Sequence, residues 1–270
     1  MKYKSKNFCL TIYPSTIKHI LFLGLEPVIL GEKFNKENFL SDRTLDNIAC
    51  KNKYYGEYTF HYWLWKNCLN ELDDIEWLSF STYRRFWINS NETNINSITD
   101  LRNNLLNIHD LVDKSYDVVL TKPLILGKTK RIKIIKNYGL INSLKDPALF
   151  LKLRYNLYDH FKIFHGETYL KDSIKLLDNE DKADFLEFLK TNKFNAHNMF
   201  MVKNCLILKK FYDKIFPWLF RCERYFDLEN FKNYEIRKLG FLAELYLNFY
   251  FKKYHKVYEA NYYFFDTNKL

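Results

Sequence analysis

The stretch from Lys51 to Trp87 constrains the fold most, because it couples a helical period to a buried strand within a short span. Tyr54, Tyr58, His61, Tyr62 and Trp65 recur at spacings of three and four, which places them on one face of an aromatic-rich helix. Glu57 falls beside that stripe, near where the helix meets its neighbours. Asn70 to Asp74 supply a polar break. Trp77-Leu78-Ser79-Phe80-Ser81 then reads as a short apolar run bounded by polar residues, the pattern of a buried strand. Thr82-Tyr83-Arg84-Arg85-Phe86 leaves its C-terminal end. Ligands of open α/β sheets bind outside the carboxyl ends of strands, so two adjacent arginines stand where a phosphate can be held.

The rest of the chain extends the α/β pattern. Phe8 to Tyr13 reads as a first strand ended by Pro14. Pro27 interrupts any helix over Ile17 to Leu30, and a second strand is expected from Pro27 to Leu30. Glu32 to Asp46 reads as a polar loop, and Asp46 or Asn47 either caps the helix that follows or serves a ligand. Ile98 to Val112 has a helical apolar period. Tyr116 to Thr121 is a strand stopped by Pro123. Helices are expected over Ala148 to His165, after Pro147, and from Asp181 to Lys190. Ala196 to Val202 reads as a strand with His197 and Asn198 at its start. Leu206 to Asp227 is an amphipathic helix that Pro217 should kink or divide. Gly240 opens a last helix, with Phe241, Leu245 and Asn248 on one face and Glu244 beside them. A carboxylate in so apolar a helix either pairs with a cation such as Arg237 or Arg84, or works with a raised pKa. The aromatic tail, Tyr258 to Leu270, is expected to pack back as an edge strand. No repeat or linker divides the chain, so one domain over residues 1–270 is expected.

Composition removes several function classes. Hydrophobic residues at 47% and charged residues at 27% over 270 residues describe a chain that buries a sizeable core rather than a disordered one. No run of 18 apolar residues predicts a membrane-spanning helix. The segment Met1 to Tyr13 lacks the apolar core and small-residue cleavage site of a signal peptide. Cys9, Cys50, Cys68, Cys205 and Cys222 are scattered without a CxxC spacing. Reduced thiols and a cytoplasmic location are therefore expected. The net charge of +10 attracts polyanions, nucleotide phosphates or an anionic membrane face. The densest basic run, Lys122 to Lys136 around Gly127, reads as a solvated hairpin, as a loop closing over a phosphate-bearing ligand, or as a membrane-surface contact. No RRM, KH, zinc-finger or helix-turn-helix signature accompanies the charge, so nucleic acid is not the expected partner.

The pattern KNxxYxExTxxYWxWKN from Lys51 to Asn67, followed by a strand and Tyr83-Arg84-Arg85-Phe86, resembles the domain-of-unknown-function 4422 family. Its members are bacterial glycosyltransferase-like proteins of capsular and exopolysaccharide clusters. Asp46-Asn47-Ile48, Asn198-Met199-Phe200, Trp218-Leu219-Phe220, and Arg237 with Gly240-Phe241 and Glu244 continue the match in order. Gly56 stands where the family usually has cysteine, and Thr82 where it usually has histidine. The resemblance implies a GT-A-like nucleotide-binding sheet flanked by helices, with a helix-rich C-terminal part. The half up to residue 125 would bind a nucleotide-sugar, a UDP-sugar above others, and the half from 126 an acceptor. That acceptor is an oligosaccharide or lipid-linked glycan of a growing capsular or surface polysaccharide, with peripheral contact at the inner membrane face allowed. The resemblance leans towards inversion and a furanose donor. Asp46, Asn47, Lys51, Asn52, Tyr55 and Tyr83 would contact the donor; His197, Asn198 and Arg237 would contact the acceptor.

Glycosyl transfer needs a nucleoside pocket, charge stabilisation for the leaving diphosphate, and a base for the acceptor hydroxyl. In many GT-A enzymes an Asp-x-Asp motif at a strand's end holds a metal for the second task. Here Asp73-Asp74 precedes its strand and Asp117 opens its own, so no metal site or resident cofactor is expected, although a divalent ion stays open. Tyr83-Arg84-Arg85 occupies that position, and arginine neutralises phosphate charge through paired hydrogen bonds. Arg84 and Arg85 therefore either replace the metal or form structural salt bridges with Glu57 or Glu244. Glu244 and Glu57 are the candidate bases, with His197 third. The alternative is a non-catalytic carbohydrate- or nucleic-acid-binding protein.

Overall fold

The computed structural model describes residues 5–31, 39–89, 94–108, 115–127, 131–151, 155–231 and 233–270. The chain opens with β1 (Ser5–Thr11), a short helix α1 (Ile17–Phe22), and β2 (Glu26–Ile29), which pairs with β1 in parallel. β3 (Leu40–Ser41) adds a parallel edge to β2 inside the segment read as a loop; residues 32–38 of that segment lie outside the described residues. After α2 (Asn52–Tyr55) and α3 (Tyr58–Asn67), β4 (Trp77–Thr82) returns to pair in parallel with β1 on the side away from β2. The order 3-2-1-4 reverses its direction of winding at β1 and β4. Their carboxyl ends, Thr11 and Thr82, flank the crevice that such a reversal opens.

β4 runs into a two-residue turn, Tyr83-Arg84, and β5 (Arg85–Ile88) doubles back with Arg85 opposite Thr82. Next come α4 (Ile98–Asn104), β6 (Val118–Thr121) and β7 (Leu124–Ile125). A helical region follows: α5 (Arg131–Tyr138), α6 (Leu140–Lys145), α7 (Pro147–Phe150), α8 (Leu157–His165), α9 (Glu167–Lys175) and α10 (Asn179–Leu189). β8 (Lys193–Phe194) pairs with β7, and β9 (Phe200–Val202) lies antiparallel to both β4 and β6. Two long helices, α11 (Cys205–Tyr225) and α12 (Lys238–Tyr254), precede the last strand, β10 (Val257–Phe264).

The structure corrects several expectations. β10 is not an edge strand: it lies between β5 and β6. Its aromatic side chains explain this. Tyr258 and Tyr262 pack in one apolar cluster, whereas Tyr263 packs in another, as alternate residues of a strand covered on both faces do. The helix expected from Ile98 to Val112 stops at Asn104, because Leu105 turns extended and bridges to Ile88; residues 109–112 lie outside the described residues. The helix expected over Ala148 to His165 is two helices, the second started by Asn156, whose side chain accepts from the Asp159 N–H. The basic hairpin is absent from the described part of its run: β7 pairs with β8 instead, Arg131 onward is helical, and residues 128–130 lie outside the described residues. α11 continues through Pro217 undivided.

The aromatic stripe is interrupted at Gly56, whose φ of 58° and ψ of −131° suit glycine alone. Tyr54 thus belongs to α2, and Glu57 heads α3. All residues of α3 from Tyr58 to Leu64 are buried, which is the state of a helix apolar all round. Phe60 meets Phe8 and His61 meets Phe80 on the sheet, at ring separations of 5.3 and 4.7 Å. Tyr62 meets Phe216 and Phe220 of α11. His61 and Tyr212 share a buried hydrogen bond of 2.6 Å. Because β10 supplies partners to β5 and β6 at once, deleting Val257 to Leu270 should abolish cooperative thermal unfolding followed by circular dichroism. A truncated chain that melted like the full one would contradict the interior placement.

Candidate active site

Two cavities adjoin at the carboxyl ends of β1 and β4 and share Glu57, Arg84, Arg85 and Arg237. The smaller, of about 330 Å³, lies over Thr11 and Thr82 and is bounded by Asn52, Lys53 and Tyr83. Through Ile12, Leu30, Asn52 and Lys53 it borders a further hollow of about 440 Å³. The larger cavity, of about 750 Å³, reaches α12 and is walled by Pro123 to Gly127, His160, His197, Asn198, Phe241 and Glu244.

The arginine turn is held by its backbone. The Tyr83 N–H donates to the Leu10 carbonyl at 3.0 Å, the Thr267 hydroxyl donates to the Tyr83 carbonyl at 2.5 Å, and the Phe265 N–H donates to the Arg84 carbonyl at 3.1 Å. The side chains are left for other work. The Arg84 guanidinium lies over the Tyr83 ring at 5.4 Å and that of Arg85 over the Phe264 ring at 5.6 Å. Among the described residues neither forms an ion pair, so the expected structural bridges to Glu57 or Glu244 are not made. Burial and the neighbouring Arg84 charge lower the proton affinity of Arg85, so an anion between them would relieve a repulsion. Arg237 approaches Glu57 at 3.9 Å with its side chain 48% exposed. Such a pair is worth about 0–1 kcal/mol and leaves Arg237 able to turn to a ligand.

Glu244 stands on the opposite wall, where α12 and the loop before β9 are clasped together. Asn248 accepts from the Asn195 N–H at 2.8 Å and donates to the Asn195 carbonyl at 2.7 Å. His197 and Asn198 then adopt φ values of 90° and 52°, a strained pair for residues with side chains. That geometry turns the His197 N–H onto Glu244 Oε1 at 2.5 Å. It also explains why β9 starts only at Phe200. Burial pushes the Glu244 carboxyl up to about 7; the His197 N–H opposes this, the Glu57 charge adds to it, and Arg85 and Arg237 oppose it. His197 shares a 2.9 Å hydrogen bond with Tyr262 through Nε2, and burial, then Arg85 and Arg84, hold its imidazole down to about 3. At neutral pH it is a neutral, weak base. Glu244 is the better proton acceptor of the two.

A family model, the domain of unknown function DUF4422, matches residues 18–256. The chain belongs to that family. Among solved structures the fold is similar to the apo structure of WbbM, a bifunctional glycosyltransferase, with a TM-score of 0.73 and 23% identity over 97% of this chain and 45% of that one. The chain thus spans less than half of that structure's length, and a likeness at this identity speaks for the fold. No curated protein matches.

The DUF4422 motif residues divide between cavity and scaffold. Glu57, Arg84, Arg85, Asn198, Arg237 and Glu244 meet in the larger cavity, and Asn52 and Tyr83 line the smaller one. Asp46, Asn47, Lys51 and Tyr55 are not brought to either, because other partners take them. Asp46 accepts from the Tyr62 hydroxyl, and Asn47 accepts from the Ala49 N–H as a local cap. Lys51 and Tyr55 both bind Glu223 of α11, at 2.6 and 2.7 Å. Sequence reasoning missed Lys53, Thr82 and His160 as cavity residues. The Thr82 hydroxyl is buried at the edge of the smaller cavity with no hydrogen-bond partner among the described residues. It also missed Asp42, a buried carboxylate that accepts from the Gly31 N–H and the Thr59 hydroxyl and so ties the end of β2 to α3. Lys53 was readable from its place in the Lys51–Asn67 motif and Thr82 from its place at the end of the buried strand; His160 and Asp42 carry no sequence signal. Among the described residues no three His, Cys, Asp or Glu side chains converge as a metal site.

Glu244 binds its proton more tightly folded than unfolded, where the ordinary value is 4.5. The stability this adds is complete below about pH 4.5 and is lost as pH rises through about 7. Glu244→Gln keeps the acceptor for the His197 N–H without the charge. Its melting temperature should exceed that of the wild type by a few degrees at pH 8 and match it at pH 5. Equal melting at both would show the carboxyl to be ionised at its ordinary value.

Proposed function

We propose that this protein is a glycosyltransferase of GT-A-like architecture that moves a sugar from a nucleotide-sugar, a UDP-sugar foremost, to a glycan acceptor of a capsular or related surface polysaccharide. The observation that carries the reading is the pairing of two unbridged guanidiniums, Arg84 and Arg85, with a carboxylate of raised proton affinity, Glu244, across adjoining cavities at the sheet's reversal point. The 3-2-1-4 order and the likeness to WbbM support the architecture.

In this reading the nucleoside occupies the hollow beside Ile12, Leu30 and Lys53, and the diphosphate lies against Arg84, Arg85 and Arg237. The acceptor fills the larger cavity with its hydroxyl towards Glu244. The hydroxyl oxygen attacks the anomeric carbon as Glu244 takes its proton, and the carbon–oxygen bond to the diphosphate breaks with its electrons leaving on phosphate. One base and in-line displacement suffice for inversion; a furanose donor fits the same scheme. The arginines supply charge stabilisation fixed before the reaction begins.

Two measurements test this. A thermal-shift screen with UDP, UMP, GDP and CMP, each with EDTA, manganese or magnesium, should show one nucleotide raising the melting temperature without metal. Arg84→Ala should weaken that nucleotide about tenfold to a hundredfold, the scale of one lost charge-assisted phosphate contact. Unchanged affinity would remove Arg84 from the diphosphate site, and silence from all nucleotides would favour a non-catalytic binding protein. Turnover should rise with pH through about 7 as Glu244 ionises; a profile flat from pH 5 to 8 would remove Glu244 as the base.

A further inference from the structure

Between Asp117 and Asp146 the sequence holds seven lysines and arginines and no aspartate or glutamate. This segment contains α5 and α6. Ile134 of α5 is fully buried with Leu149 and Ile163, and Leu126 from the wall of the larger cavity packs against them. The unit is therefore anchored beside that cavity. Yet Ile132, Leu140, Ile141 and Leu144 are 78%, 58%, 69% and 70% exposed. Leu140, Ile141 and Leu144, at positions i, i+1 and i+4, fall within one arc of about 100° on the helix. A surface helix normally turns such an arc inward. Single exposed leucines are ordinary, but a group of them on a cationic segment marks an interaction surface.

We propose that the α5–α6 face docks on an anionic lipid bilayer. Charge complementarity selects this partner. A bilayer offers anionic headgroups to the lysines and hydrocarbon to the leucines and isoleucines, which is how interfacial amphipathic helices bind. A polynucleotide would satisfy the cations and leave the apolar side chains in water. A second copy would set this cationic segment against itself. Docking here brings the larger cavity, whose wall ends at Gly127 shortly before α5, to the membrane surface. The acceptor is then a glycan carried on a lipid. Only that last step rests on the glycosyl-transfer reading.

Co-sedimentation of the full chain with vesicles tests the docking. Vesicles of phosphatidylcholine containing one third phosphatidylglycerol should pellet the protein, high salt should release it, and phosphatidylcholine alone should bind it weakly. Ile141→Ser with Leu144→Ser should lower the partition about a hundredfold, about tenfold per Leu-sized side chain withdrawn from hydrocarbon. Leu206→Ser, at a site 56% exposed on α11, should change nothing. Failure to pellet, equal binding to both vesicle types, or equal binding by the double variant would overturn the proposal. So would a dimer in sedimentation equilibrium that the double variant dissociates, which would make the face a self-interface. Turnover of the double variant on a water-soluble acceptor should persist. Vesicle binding without turnover in the wild type would sink the transferase reading alone; turnover without vesicle binding would sink the docking alone.

Discussion

Everything at the site depends on how the Tyr83-Arg84 turn is fixed. The Leu10 carbonyl of β1, the N–H of Phe265 just after β10 and the Thr267 hydroxyl hold its main chain. None of the arginine side-chain donors is needed for this. A turn stabilised instead by a carboxylate on Arg84 or Arg85 would be as rigid but electrostatically spent. Here two cations sit side by side, each against an aromatic face and neither in an ion pair among the described residues, with Glu57 and Glu244 facing the same cavity. In the proposed reading a diphosphate is the anion whose charge and geometry suit them.

The second wall shows the same logic with the opposite sign. The clasp between Asn248 and Asn195 fixes the loop at left-handed backbone angles, and the loop aims the His197 N–H at Glu244. One hydrogen bond does not offset the desolvation of the carboxyl, so its proton is held near neutrality. The Glu244 carboxyl and the two guanidiniums thus come from separate elements, α12 and the turn after β4, that face one cavity. Two expectations converge on this arrangement: the buried strand with arginines at its end, and the carboxylate embedded in an apolar helix.

Much of this was legible in the sequence. The strand from Trp77 to Ser81, the prolines at 14 and 27, and the helix carrying Glu244 follow from local pattern. What was not legible is non-local. Nothing in Tyr258 to Phe264 states which strands will flank it, although aromatic residues at both parities are the trace of a strand covered on two sides. Lys51 and Tyr55 lie in the same motif as Asn52, yet Glu223, far along the chain, draws them away from the cavity. The positive φ values at His197 and Asn198 have no glycine to announce them. Motif membership located the neighbourhood, and tertiary partners decided which residues line the cavities.

The central claim is that cations fixed on the sheet and a carboxylate on α12 divide the work of glycosyl transfer. The most direct measurement is release of nucleoside diphosphate from a panel of nucleotide-sugars, with EDTA present, by the wild type and by Glu244→Gln. The account predicts release from one nucleotide class by the wild type, and loss of release in Glu244→Gln with nucleotide affinity unchanged. Release that needs a divalent ion, or that survives in Glu244→Gln, would contradict it.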